Sequence, residues 1–220
     1  MNIAQTMKER SSVRGFIDKP VPDDVLQRIF KDAQKSPSNC NTQPWKVYVF
    51  SGEKKNELSR KLVEELQSGR PPVPDFEWSV KYQGGHRERQ FASAAALYGA
   101  LGVEREDKQA RASAMLKNWQ FFGAPHVAFF TMEKYLGIMG AVDLGIYAQS
   151  LSLLLAENGI SSCMQGALGQ FPAPVRAMTG MLDSEGVLFG MSFGYADSDA
   201  PANAAKTDRA ELSDAVHFIV

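Results

Sequence analysis

Apolar positions recur along the chain in two periods, and the periods divide it into elements. Ile3 to Glu9 reads as a short helix running into the polar cluster Arg10-Ser11-Ser12-Val13-Arg14. Pro22-Asp23-Asp24 opens a second helix, because proline suits a first turn and acids suit the positive end of the helix dipole. Val25, Leu26, Ile29, Phe30 and Ala33 then follow at helical spacing. Ser36 to Pro44 is almost wholly turn formers and predicts a loop. Trp45 to Phe50 is rich in β-prone side chains and predicts a strand. Glu53 to Gln67 is an amphipathic helix carrying Leu58, Leu62 and Leu66. Arg87 to Leu101 and Lys108 to Phe122 read as two helices parted by Gly102 and a charged turn.

Beyond them, His126 to Thr131 predicts a strand and Gly140 to Asn158 a long Leu- and Ala-rich helix stopped at Asn158-Gly159. Ile160 to Met164 is a short strand, Pro174 to Thr179 a small helix, and Val187 to Tyr195 the clearest strand of the C-terminal half. A polar arm, Ala196 to Arg209, and an apolar tag, Val216 to Val220, complete the chain. Long helices between short strands, without a strict βαβ repeat, predict an α+β fold with helices packed on a sheet. The stretch Gly69 to Gly85, with Pro71, Pro72, Pro74 and paired glycines, is the least regular. A long loop of this kind is often a lid or a pocket wall.

Composition narrows the function classes. A length of 220 residues suits one domain, and 44% apolar with 22% charged residues is ordinary for a soluble globular chain. The balance of 24 basic against 25 acidic residues argues against a dedicated nucleic-acid binder. Cys40 and Cys163 form no CxxC pair, and with His86, His126 and His217 scattered, no zinc-ligand spacing arises. Nothing in the sequence requires a disulfide between the two cysteines. Met1 to Arg10 lacks the apolar region of a secretory leader. No stretch approaches the ~20 apolar residues of a membrane span; Met139 to Ala156 contains Asp143 and Gln149 and reads as a buried helix. The expected location is cytoplasmic.

The familiar catalytic signatures are missing: no G-x-S-x-G elbow, no P-loop, no H-E-x-x-H and no Rossmann G-x-G-x-x-G. The glycines of Gly186 to Gly194 sit on a strand and suit close packing. Three features remain. Arg10-Ser11-Ser12-Val13-Arg14 places two guanidinium groups and two hydroxyls where they can hold a phosphate by charge-assisted hydrogen bonds. The same cluster also fits a solvated loop. Pro37-Ser38-Asn39-Cys40-Asn41-Thr42-Gln43-Pro44-Trp45 packs amides and hydroxyls between two prolines, which suits either a ligand loop or an ordinary turn. Lys206 and Arg209 in the late arm can close on the same phosphate or stay solvated.

In combination these features resemble the FMN-dependent nitroreductase family. About 22 residues separate the Arg-Ser-Ser-Val-Arg cluster from the Pro-Ser-x-x-Asn-Thr-Gln-Pro-Trp loop. Asn158-Gly159-Ile160, Ser161 to Gly166, Phe189 to Tyr195 and Arg209 follow in family order, while residues 68–125 match least. Within them, Arg87-Glu88-Arg89-Gln90-Phe91 looks most like the nitrobenzoate-reductase branch.

The resemblance implies an α+β three-layer sandwich, a mostly antiparallel sheet flanked by helices, in an intertwined homodimer. It implies one FMN-binding domain over residues 1–220, with a variable lid at about 68–125 and a dimer-exchanging arm at about 196–220. Arg10, Ser11, Ser12 and Arg14, with Lys206 and Arg209, would hold the FMN phosphate and ribityl chain. Pro37, Ser38, Asn39 and Asn41 would reach the flavin from the other subunit, Gln43 being a further member of that loop. Gln165 and Gly166 would lie under the flavin ring, where a backbone N–H can donate to N5.

NADH or NADPH would supply hydride, and nitroaromatics, quinones or similar electron-poor acceptors would take it in ping-pong order. No protein side chain is then needed as a catalytic acid, base or nucleophile. Arg87 and Tyr82 are candidates for the substrate, and Trp78, Tyr82, Phe91 and Trp119 for an aromatic wall, two of the four at most, since most aromatics at such spacing are core. His86 is a candidate donor to substrate or nicotinamide. Cys40 and Cys163 are read as small buried thiols. The apolar tail Ala215 to Val220 would cross to the partner as an added strand. Reductive dehalogenation, substrate dehydrogenation and flavin sensing without turnover are the alternatives on the same scaffold.

Overall fold

The computed structural model describes residues 2–77 and 79–220. In chain order the elements are α1 (Ile3–Glu9), α2 (Asp23–Ala33), β1 (Lys46–Ser51), α3 (Gly52–Gln67), α4 (Gly84–Ala100) and α5 (Lys108–Leu116). They continue with β2 (His126–Glu133), α6 (Gly137–Glu157), β3 (Ser161–Gln165), α7 (Pro172–Thr179), β4 (Glu185–Gly194) and α8 (Leu212–Ala215).

The four strands form one sheet in the order β1-β2-β4-β3, and every neighbouring pair is antiparallel. Its centre is buried on both faces. Along β2, Ala128, Phe130 and Met132 point to one side, where they meet Leu26 and Ile29 of α2 and Leu144, Tyr147, Leu151 and Leu155 of α6. Val127 and Phe129 point to the other, against Leu58 and Leu62 of α3 and Val175 of α7. The alternation of side chains along a strand thus produces helix, sheet and helix layers. The α+β three-layer architecture expected from the sequence is the one observed.

Glycines let the layers close. A Cβ on Gly190 would stand 2.5 Å from Leu168 Cδ1, and one on Gly169 2.5 Å from the Leu188 carbonyl oxygen. The packing reading of the β4 glycines therefore holds.

Two expectations need correction. The helix expected over Lys108 to Phe122 ends at Leu116. Phe121 and Phe122 adopt left-handed φ values of 56° and 54°, and the turn drives Trp119 and Phe121 into the core. Burying two large aromatics outweighs continuing the helix. The second correction concerns membrane-span length. Lys134–Glu157 is a 24-residue helical stretch with mean hydropathy 1.5, long and apolar enough to cross a membrane by length and composition. Eight residues of α6, Asp143 among them, are nevertheless buried against the protein's own core. Its opposite face, with Ile138, Met139, Val142 and Ile146, is exposed.

Candidate functional site

The Arg10–Arg14 segment is seated from both sides. Arg10 caps α1, its N–H bonding to the Thr6 carbonyl. Ser12 forms a parallel bridge with Ser162 of β3, and Val13 N–H donates to the Ser162 carbonyl at 3.1 Å. Val13 and Phe16 bury their side chains with Ala124, which turns the intervening arginine outward. On the far side Asn203 staples the C-terminal arm in place. Its Oδ1 accepts from Arg14 N–H at 2.7 Å, and its Nδ2 donates to the carbonyls of Gly15 at 2.9 Å and Asp197 at 2.8 Å.

The result is a cleft of ≈ 760 Å³ in which Arg10, Ser11, Ser12, Arg14, Lys206 and Arg209 come together. All six clamp residues expected from the sequence are in it. Among the described residues none of the four cations makes an ion pair: Arg14 reaches only the Ser12 carbonyl, and Arg209 only its own turn at Thr207 and Asp208. Lys8, Glu9 and Asp208 also line the cleft, and a fifth cation against two acids leaves it with an excess of cationic donors. Guanidinium forks, an ammonium and hydroxyls form the donor set that a phosphate monoester requires, so these residues fit the phosphate of FMN. Behind the clamp, burial pushes the Cys163 thiol up despite nearby Arg14 and Arg10, the state of an unreactive core thiol.

The Pro37–Gln43 loop lies elsewhere on the chain. A 3-10 turn at Asn39–Asn41 carries left-handed φ at Cys40 and Asn41, and Gln43 beyond it is left-handed as well. Ser38 Oγ accepts from Gln43 N–H at 3.0 Å, and Gln43 Nε2 donates to the Asn41 carbonyl. Buried Asp143 of α6 anchors it by accepting from Asn39 N–H at 3.1 Å. The loop thus presents Pro37, Asn39 and Asn41 to solvent, and none of its residues lines the cationic cleft.

Gln165 ends β3 and Gly166 follows it. The Gln165 carboxamide is spent inside the protein: Nε2 donates to Asn118, and Oε1 accepts from Ser192. The carboxamide is therefore not available to a ligand, and the backbone of Gln165 is paired with Gly190 in the sheet. Gly166 is exposed and opens a 3-10 turn.

Other expectations change. Arg87 stacks on Phe91, 5.3 Å from the ring centroid, and neither Arg87 nor Tyr82 lines the cleft. Tyr82 and Phe91 are exposed, whereas Trp119 is 2% exposed and belongs to the core, because α5 ends early; it is not a wall residue. Trp78 lies outside the described residues. Exposed His86 sits 3.2 Å from Arg89. Cys40 is exposed, not buried, since its left-handed turn lifts it off the core; both cysteines are free thiols.

Sequence reasoning missed Asn203, Asp143 and Ser93, the last lining the cleft from α4. For Asn203 and Ser93 no local signal existed. For Asp143 there is one, a lone acid in the middle of an apolar helix, which weighs against a membrane span and equally marks a buried anchor.

The nitroreductase family description matches residues 7–195. Nitroreductase NfnB of Mycolicibacterium smegmatis is 37% identical over 213 residues, covering 96% of this chain and 90% of that protein. The 4-nitrobenzoate reductase of Pseudomonas putida is 32% identical over 96% of this chain and 92% of its own length. Among solved structures, FMN-dependent nitroreductase NfnB from Mycobacterium smegmatis in complex with NADPH superposes with TM-score 0.94 at 35% identity, covering 100% of both chains. The FMN- and NADPH-dependent NfnB from sphigopyxis sp. strain HMH gives 0.96 at 32% identity, again over 100% of both.

Proposed function

The chain belongs to the nitroreductase family, and on that premise we propose that it is an FMN-dependent oxidoreductase using NAD(P)H to reduce nitroaromatics or similar electron-poor acceptors. The observation that carries the reading is the cleft in which four cations from two ends of the chain stand without ionic partners. Held by these residues, FMN would supply the redox centre for hydride from NAD(P)H and electrons to the acceptor.

The chain's own residues bind and orient. Arg10, Arg14, Lys206 and Arg209 neutralise the phosphate, and Ser11 and Ser12 add donors. The exposed backbone at Gly166 offers an N–H toward the flavin ring. No side chain is assigned as an acid or base, in keeping with chemistry carried by the cofactor. Pairing with NADPH is supported by the complex of the Mycobacterium smegmatis relative.

The reading also includes a homodimer built from residues 1–220 as one FMN-binding domain. Two features support it. Ile138, Met139, Val142 and Ile146 form an uncovered apolar face on α6, and Val216, Phe218 and Ile219 stand exposed beyond α8. Contiguous apolar surface of this kind marks an interaction site. The Pro37–Asn41 loop, remote from its own cleft, would then serve the partner's flavin, and the tail would dock on the partner. Placement in the cytoplasm accords with the supply of NAD(P)H there.

The test is a visible absorption spectrum of the purified protein, then anaerobic addition of NADPH and NADH in turn. A flavin spectrum bleached by one donor and restored by a nitroaromatic is expected. A colourless protein that takes up no added FMN would overturn the reading. Within it, Arg14→Ala or Arg209→Ala should each weaken FMN binding by roughly 10- to 100-fold, since a charge-assisted bond contributes about 1.5–3 kcal/mol. Full flavin retention in both would break the phosphate assignment.

A further inference from the structure

One wall of the cationic cleft comes from an element outside the clamp formed by residues 10–14 and the C-terminal arm. Helix α4 has no buried residue along its 17 positions and is exposed on most of its surface. It packs on the 3-10 turn Pro201–Ala204, the turn that carries Asn203. Two residues of α4 line the cleft, Ser93 and Leu97. They are four apart and share one helix face. Half-buried Leu97 supplies the apolar contact, while Ser93 is exposed to the cavity.

Among the described residues Ser93 Oγ makes no hydrogen bond, not even the common one to the carbonyl a turn earlier that Ser150 makes to Ile146. Its hydroxyl, a donor with two acceptor lone pairs, is therefore unspent and faces the same space as Arg10, Arg14, Lys206 and Arg209. Arg87 and Phe91, by contrast, pair with each other on a different face of the helix.

We propose that Ser93 is a further ligand of the FMN phosphate, and that the cofactor thereby fastens α4 over the cleft. The inference rests on the FMN reading above. It follows from how little else holds this helix: an element without buried side chains gains order from each bond it makes to a bound anion. The phosphate then links three segments distant in sequence, residues 10–14, the face of α4 and the 203–209 arm. Loading of the cofactor and ordering of the lid become one event.

The test compares wild type, Ser93→Ala, Ser93→Thr and Arg14→Ala as apoproteins titrated with FMN and with riboflavin, which lacks the phosphate, by flavin fluorescence. Alanine is the better helix former, so Ser93→Ala does not weaken α4 itself. Ser93→Ala should bind FMN about tenfold more weakly, bind riboflavin as wild type does, and be rescued by Ser93→Thr. Hydrogen exchange in residues 84–100 should slow on FMN loading in wild type and slow less in Ser93→Ala. If wild type binds FMN and Arg14→Ala weakens it while Ser93→Ala does not, the inference is overturned and the FMN reading stands. An equal loss for riboflavin and FMN, or exchange in α4 indifferent to FMN, also overturns it. If wild type binds no FMN, the underlying reading fails and the inference with it.

Discussion

The sheet with α6 and the pair α4–α5 are built on opposite terms. Helix α6 buries eight residues against the sheet, while α4 and α5 bury none. On β4 and the turn after β3, backbones approach so closely that a single added methyl group would overlap its neighbours, yet around Gly99 of α4 nothing lies within 4 Å. The same contrast separates the base of the 68–125 segment from its outer part. Asp75 accepts from Arg176 at 3.0 Å, from Val187 N–H at 2.9 Å and from Lys134 at 2.9 Å, and Phe76 fills the space left by Gly186. One end of the segment is therefore pinned to the sheet, while α4 rests on the C-terminal arm. Stability belongs to the first region, and freedom to respond to a ligand or partner belongs to the second.

The strongest way to break this contrast is at the pin. Asp75→Ala would strip a buried β4 N–H of its acceptor and Arg176 of its close carboxylate, and should cost about 3 kcal/mol, the low end for a buried pair because both cations are partly exposed and Arg176 keeps the Leu182 and Glu185 carbonyls. Chemical denaturation reads it; a loss below about 1 kcal/mol would show that the segment is not anchored there. Next in size, Gly169→Ala should cost about 2 kcal/mol by overpacking against the Leu188 carbonyl. A wild-type unfolding midpoint would refute the close approach.

His126 gives a smaller effect with a defined sign. Its Nε2 accepts from Val21 N–H at 2.9 Å, so Nδ1 carries the proton and donates to Ser51 Oγ. Burial holds its pKa below the ordinary 6.5, with Lys55 adding to the shift and Asp23 opposing it. The unfolded chain then takes up a proton that the native protein refuses. Stability should be level above pH 6.5 and fall as pH drops below it. Melting curves from pH 8 to 5 should show that decline, reduced in His126→Asn; a decline as steep in the variant would assign it to other groups.

Smallest and opposite in sign, Gly99→Ala should stabilise α4 locally by about 0.5–1 kcal/mol. Hydrogen exchange within α4 measures this. Destabilisation would show that the space around Gly99 is filled after all.

Much of this molecule was legible beforehand. Every strand was placed within a residue or two, because a half- or fully buried strand writes its period into four to eight residues. The Arg10–Arg14 cluster stood out because five adjacent residues carried its whole chemistry, and the glycines of β4 correctly signalled close packing. The misses share a cause. Helical spacing continues past Leu116, yet core burial favours a left-handed turn at Phe121 and Phe122, which takes Trp119 out of the candidate wall and into the core. Cys40 is lifted off the core in the same way, by a left-handed turn that no local spacing announces.

The sequence by itself therefore determined the elements, the layer order implied by their alternation, and the presence of a phosphate-type donor set. Those properties are set by neighbours a few residues apart. Only the tertiary structure decided that Arg14 meets Asn203, that Asp143 holds the Asn39 loop and that Ser93 faces Lys206 and Arg209. Those meetings join residues about 100 or more apart along the chain. They depend on how layers pack, and packing selects partners by shape and burial rather than by any local period.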